Sequence, residues 1–219
     1  MDVVIFGATG MVGQGVLREC LLDPDVKRVV TIVRSATGQQ HPKLEEIVHA
    51  DLLDLSPIES RLSGLDACFY CLGVTSTGMT EEAYTRVTYD MTVVAAATLS
   101  RLNPQMTFVF VSGAGTDSTE RGRIMWARVK GRAENALQRF PFKAAYIFRP
   151  GVIQPMHGIR SRTKAYQLFY TIAGPVIPLL KRMFPKLITS TQQIGRAMLV
   201  LAKQGGPKTI YESADINRL

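Results

Sequence analysis

Three residues near the middle of the chain combine reactive side chains with a useful spacing: Ser112, Trp126 and Lys130. Ser112 closes the apolar run Q-M-T-F-V-F-V-S at 105–112, and a polar, glycine-containing loop follows. Trp126, the only tryptophan, stands four residues before Lys130, so a helix puts both on one face. At about 100° per residue Ala133 and Leu137 share that face, while Arg128, Arg132 and Arg139 fall on the other and read as solvated. An inward lysine needs partners, because an unpaired buried charge is costly. The hydroxyls of a ribose would supply them. The plainer alternatives are a serine that only ends a strand, and a lysine whose stem lies inward while its ammonium reaches water. A hydrolase nucleophile is excluded, since V-S-G-A-G at 111–115 lacks the G-x-S-x-G turn.

A second site-forming stretch lies at the start of the chain. The apolar run V-V-I-F at 3–6 leads straight into F-G-A-T-G-M-V-G, where Gly7, Gly10 and Gly13 have the spacing G-x-x-G-x-x-G and a helix begins within the motif. Gly7 permits a tight turn, Gly10 lets backbone approach a pyrophosphate at the helix N-terminus, and Gly13 lets helix and strand pack closely. Thr9 and Met11 complete the expected cofactor loop. At the end of the second apolar run, R-V-V-T-I-V at 28–33, an acid would bind the ribose 2′-hydroxyl of NAD; the position holds Arg34, which suits a 2′-phosphate. NADP(H) is favoured over NAD(H).

These residues need a scaffold that brings strand ends together. Apolar runs at 3–6, 28–33, 44–51, 67–72, 105–112 and 144–149 alternate with helical patterns at 10–22, 81–101 and 123–139. The long helix at 81–101 carries the stripe Val87, Met91, Val94, Ala95 and Thr98. This alternation predicts an α/β fold: a Rossmann-type doubly wound parallel sheet of about seven strands, with helices on both faces. Residues 1–219 form one domain on this reading. After Pro150 the pattern changes, with prolines at 155, 175, 178 and 185, an aromatic-rich stretch at 164–187, a last helix near 191–203 and a closing strand T-I-Y-E-S. Residues 151–190 are expected to form a small helical lid over a substrate pocket.

The totals narrow the class. The chain has 219 residues, 46% hydrophobic and 20% charged, which suits a soluble domain with a substantial core. No run is long and apolar enough to span a bilayer, and M-D-V-V-I-F-G carries no basic leader, so the expected compartment is the cytoplasm. The net charge of +8 is dispersed, without a basic tail or an aromatic-basic RNA-binding motif, which argues against nucleic acid as a partner. Cys68 and Cys71, in C-F-Y-C, point to opposite faces of a strand and can neither bridge nor chelate together; with Cys20 they read as buried thiols, and no metal site is expected.

In combination and order, G-A-T-G-M-V-G (7–13), A-D-L (50–52), C-L-G-V-T (71–75), V-S-G-A-G (111–115), W-A-R-V-K (126–130) and R-P-G (149–151) resemble the atypical, extended short-chain dehydrogenase/reductase superfamily. Within it the chain is similar to the branch of HIV Tat-interacting-protein-like oxidoreductases. The resemblance covers residues 1 to about 155 well and the tail loosely. It implies that Asp51 and Leu52 flank the adenine, that Leu72 and Gly73 lie along the adenosine ribose, and that Pro150 and Gly151 line the nicotinamide pocket. It further implies that Ser112 orients a substrate carbonyl and that Lys130 holds the nicotinamide ribose.

One position departs from the pattern. The superfamily motif is Y-x-x-x-K, and its tyrosine exchanges a proton with the substrate oxygen; here that place is Trp126. An indole N–H donates a hydrogen bond but does not act as an exchangeable acid. His157, in P-M-H-G after the R-P-G, is a candidate replacement donor, because an imidazole can both give and take a proton; the plainer alternative is an exposed loop histidine. The expected function is therefore an NADPH-dependent reductase of an unidentified small molecule. The alternative is a weakly catalytic NADP(H)-binding sensor that acts through a protein partner. A third reading, at a membrane surface, draws on the apolar residues from Tyr166 to Phe184 flanked by Lys164, Lys181, Arg182 and Lys186; prolines interrupt that stripe and favour the lid.

Overall fold

The computed structural model describes residues 1–159 and 187–219. Short runs of valine, isoleucine and phenylalanine form the strands, because both faces of the sheet they make are covered. In chain order, β1 (Asp2–Phe6) leads to α1 (Met11–Leu22), β2 (Arg28–Val33), β3 (Leu44–Val48) and β4 (Ala67–Tyr70). Then come α2 (Glu81–Thr85), α3 (Met91–Leu102), β5 (Thr107–Val111), α4 (Met125–Leu137) and β6 (Ala144–Arg149). The remaining elements are β7 (Val152–Gln154), β8 (Ile188–Ser190), α5 (Thr191–Gln204), β9 (Ile210–Glu212) and α6 (Ser213–Ile216).

Seven strands pair in the order β3-β2-β1-β4-β5-β6-β9, all parallel. Phe6 at the end of β1 stands beside Ile32 of β2 and Tyr70 of β4. The chain reverses its direction of travel across the sheet between β1 and β4, which opens a crevice at the carboxyl ends of those strands. Alternate residues of each strand feed two cores. Val4, Phe6, Cys68, Tyr70, Phe108 and Phe110 pack with Ala95 and Leu99 of α3 and Ala133 and Leu137 of α4. Val3, Ile5, Phe69, Val109 and Phe148 pack with α1 and α5 on the other face. A doubly wound sheet of seven strands is thus the architecture, as the alternation predicted.

Three expectations are corrected. The third strand, read as 44–51, stops at Val48, because Asp51 turns the chain by accepting a bond from the Leu53 amide at 3.0 Å. The helix read over 81–101 is interrupted by a π turn at Arg86–Asp90, between α2 and α3. There the Thr92 hydroxyl donates to the Thr88 carbonyl at 2.8 Å, an extra bond that accompanies the widened turn. Beyond the turn the expected stripe holds, with Ala95 and Thr98 buried and Met91 and Val94 packed on the core; Tyr84, Thr88 and Thr92 join the buried row, while Val87 is only partly covered. Third, Arg128 and Arg132 are not merely solvated. Arg128 pairs with Glu81 at 2.6 Å and Arg132 lies over the Tyr89 ring at 4.7 Å, so both join α4 to the helix beside it.

A feature not anticipated is a second, two-stranded parallel sheet of β7 and β8, at the two edges of the segment expected as a lid. Residues 160–186, with the expected helical lid and the apolar face from Tyr166 to Phe184, lie outside the described residues. No helix among the described residues is long and apolar enough to cross a membrane.

Candidate functional site

The β1–α1 loop is built by close approach of backbone to backbone. Gly7 has φ of +77°, and a Cβ there would lie 2.7 Å from the Leu72 nitrogen at the end of β4. A Cβ on Gly13 would lie 2.1 Å from the Gly7 carbonyl oxygen. Gly10 donates to the Gly7 carbonyl at 3.0 Å and starts α1 with no side-chain cap. The first amides of the helix are therefore left to a ligand or to water. This is the cradle a pyrophosphate requires, and the residues present fit a dinucleotide. Gln14 donates to the Thr9 carbonyl at 3.1 Å, tying the loop to the helix it opens.

Around that loop the expected cofactor residues are distributed at the carboxyl ends of the strands. Arg34 follows β2 directly; it is exposed and forms no ion pair among the described residues. A cavity of about 360 Å³ is lined in part by Thr9, Thr31, Val33, Gln39 and Glu46, and Arg34 is not among its lining residues. The cavity lies on the α1 face, where the β2–β3 crossover contains no helix. Gly73 is exposed with open space around it, and Leu72 packs on the core. Asp51 is exposed, whereas the Leu52 side chain is buried in the core beneath the sheet edge.

The second half of the site forms between β5, α4 and the start of β7. Ser112 is buried; its amide donates to the Phe148 carbonyl at 2.8 Å. Two residues on, the Ala114 amide donates to the Pro150 carbonyl at 2.9 Å, so the loop after β5 lies along the R-P-G turn. Gly151 is held from the other side, donating to the Ser213 hydroxyl at 2.9 Å. Trp126 reaches back over the same loop: a Cβ on Gly115, whose φ is +85°, would lie 3.6 Å from the indole Cη2. Lys130 is partly buried, 5.6 Å from the Phe110 ring, and makes no hydrogen bond or ion pair among the described residues. Burial pushes its ammonium down to about 8, against a smaller opposing pull from Glu134. A lysine held this way is short of acceptors, and hydroxyls delivered beside it would satisfy it.

Glu134 does not serve that purpose, because it is already committed. It is 3% exposed and takes Arg149 on both oxygens, at 3.1 and 3.2 Å from Nε. Arg149 also reaches the Ser118 hydroxyl, and Asn135 donates to the Ser118 carbonyl at 3.0 Å. The loop carrying Ser112 is thereby tied to α4 and β6. Sequence reading quoted Arg149 only as part of R-P-G and missed Glu134; its place four residues after Lys130 was the available signal. His157 sits in an exposed turn with φ of +57°, and no hydrogen bond joins it to Ser112, Trp126 or Lys130. Cys68 packs in one core and Cys71 against the other; burial pushes both thiols up, and all three cysteines are free. Among the described residues no group could hold a metal ion.

A family model described as NAD(P)H-binding matches residues 7–166, from the glycine loop through the R-P-G turn. The chain belongs to this NAD(P)H-binding family. The protein fmp52-2, mitochondrial, of Aspergillus terreus is 27% identical over 98% of this chain and 95% of its own length. Protein HTATIP2 of Rattus norvegicus is 26% identical over 69% of this chain and 62% of its own. An oxidoreductase of the short-chain dehydrogenase/reductase family from Burkholderia thailandensis shares the fold with a TM-score of 0.64, at 18% identity, over 93% of this chain and 85% of its own.

Proposed function

We propose that the protein is an NADP(H)-dependent reductase of a small-molecule acceptor, with Trp126 in place of the proton-donating tyrosine. The observation that carries the reading is Lys130, partly buried beside the Phe110 ring and, among the described residues, without a hydrogen bond or ion pair. In this reading Gly7, Thr9, Gly10, Met11 and Gly13 hold the pyrophosphate, and Arg34 takes the 2′-phosphate. Asp51, Leu52, Leu72 and Gly73 flank the adenosine, Pro150 and Gly151 flank the nicotinamide, and Lys130 donates to the ribose hydroxyls. Bound NADPH supplies a hydride, and one proton from water completes the two-electron reduction. Trp126 and Ser112 orient the acceptor. The absence of an acid at position 126 disfavours ordinary ketones, whose reduction leaves an alkoxide that needs a proton at once.

A second reading rests on the same tryptophan: a weakly catalytic NADP(H)-binding sensor that acts through a protein partner. One experiment separates the two. NADP(H) and NAD(H) are titrated by calorimetry and by Trp126 emission, and NADPH oxidation is followed with quinones, flavins and aldehydes. Turnover with any acceptor supports the reductase, tight binding without turnover supports the sensor, and absence of NADPH binding rejects both. We assign the protein to the cytoplasm; its fungal relatives are named mitochondrial, and cell fractionation decides between the compartments.

A further inference from the structure

The hydroxyl protons around Ser112 can be assigned from the hydrogen bonds that surround it. Thr116 Oγ1 lies 2.8 Å from the Gly113 carbonyl oxygen and 3.0 Å from Ser112 Oγ. A carbonyl cannot donate, so the single Thr116 proton goes to Gly113. The contact between the hydroxyls is then a hydrogen bond only if Ser112 donates to Thr116. Each residue is 8% exposed, so water competes little with Thr116 for that proton. Ser112 therefore turns lone pairs, not a proton, toward any ligand. Position 126 has the opposite character, since an indole only donates.

We propose that Thr116 is a positioning residue that fixes Ser112 as an acceptor, and that the site accordingly takes a molecule bearing its own N–H or O–H beside the reacting centre. This rests on the reductase reading and narrows its substrate class. A molecule with only a bare carbonyl at that point meets an oxygen lone pair, or must break one bond of the Thr116 pair to obtain a donor.

The test compares two planar tricyclic probes of similar size, 1,8-naphthalimide, which carries an N–H, and phenalenone, which carries only a ketone. Their affinities are measured by fluorescence with NADP⁺ present. Thr116→Val keeps the approximate shape but frees the Ser112 proton. It should shift the imide-to-ketone affinity ratio toward the ketone by about three- to tenfold, the worth of one hydrogen bond. Thr116→Ser should restore the wild-type ratio, and Ser112→Ala should abolish the difference that Thr116→Val makes. A purely structural role for Thr116 would weaken both probes alike. An unchanged ratio in Thr116→Val, or no binding of the imide to the wild-type protein, overturns the proposal. Calorimetry with NADPH on the same preparations keeps the readings apart: if NADPH binds and the ratio does not move, only the inference about Thr116 fails.

Discussion

The loop after β1 and the loop after β5 both lie at the carboxyl edge of the same sheet, yet they are built by different means. The first is shaped by what is missing: side chains at Gly7 and Gly13 would strike backbone atoms at 2.7 and 2.1 Å. The second is shaped largely by what is present, two sets of side-chain bonds: Ser112 with Thr116, and Ser118 with Arg149 and Glu134. Of its glycines, Gly113 has open space around it, while Gly115 holds a φ of +85°. A binding cradle can be made from backbone alone, because phosphate needs only amides. A reacting centre must specify donors and acceptors one by one.

The contrast is broken most severely at Gly13. Gly13→Ala should cost about 3 kcal/mol or more, because the obstacle is backbone and cannot move aside. Gly113→Ala should stay within about 0.5 kcal/mol. Paired thermal melts check both, and similar losses at the two sites would remove the distinction. Next in size is Trp126→Tyr, which restores a phenol four residues before Lys130. If the rest of the centre is intact, ketone reduction should rise by about 10²-fold or more in kcat/KM. No gain would mean that the acceptor site, and not only its acid, differs from a ketone reductase.

Smaller effects test the two cationic residues. Arg34→Ala should weaken NADP⁺ by about tenfold or more and leave NAD⁺ nearly unchanged, as expected for one charge-assisted contact to a 2′-phosphate. Equal loss for both dinucleotides in calorimetry would refute that role. Lys130 gives a pH signature. Its folded-state value is depressed to about 8, so the neutral amine is favoured in the fold and the charged form costs stability below that pH. The cost is relieved as pH rises from about 8 toward the unfolded value of about 10.5. Lys130→Met should therefore raise the melting temperature at pH 7 and lose that advantage above about pH 10.5. Cofactor binding needs the ammonium as donor, so wild-type affinity should fall by roughly tenfold between pH 7 and 9 and that of Lys130→Met should stay flat.

The sequence by itself determined the parallel sheet, the glycine cradle and the inward face shared by Trp126, Lys130, Ala133 and Leu137. These depend on local spacing and on steric limits that act within a few residues, so they survive being read one dimension at a time. It also showed that position 126 holds no exchangeable acid. Other features exist only once distant segments meet. The π turn at Arg86–Asp90 brought Tyr84, Thr88 and Thr92 into the buried row, and Asp51 ended β3 early by closing a turn. Glu134 on α4 pairs with Arg149 of β6, and among the described residues Lys130 has no hydrogen bond or ion pair. The hydroxyl order through Ser112 and Thr116 depends on which carbonyl the loop turns toward them. Hydrogen-bond direction is a property of the assembled neighbourhood, and for that reason only the tertiary structure decided it.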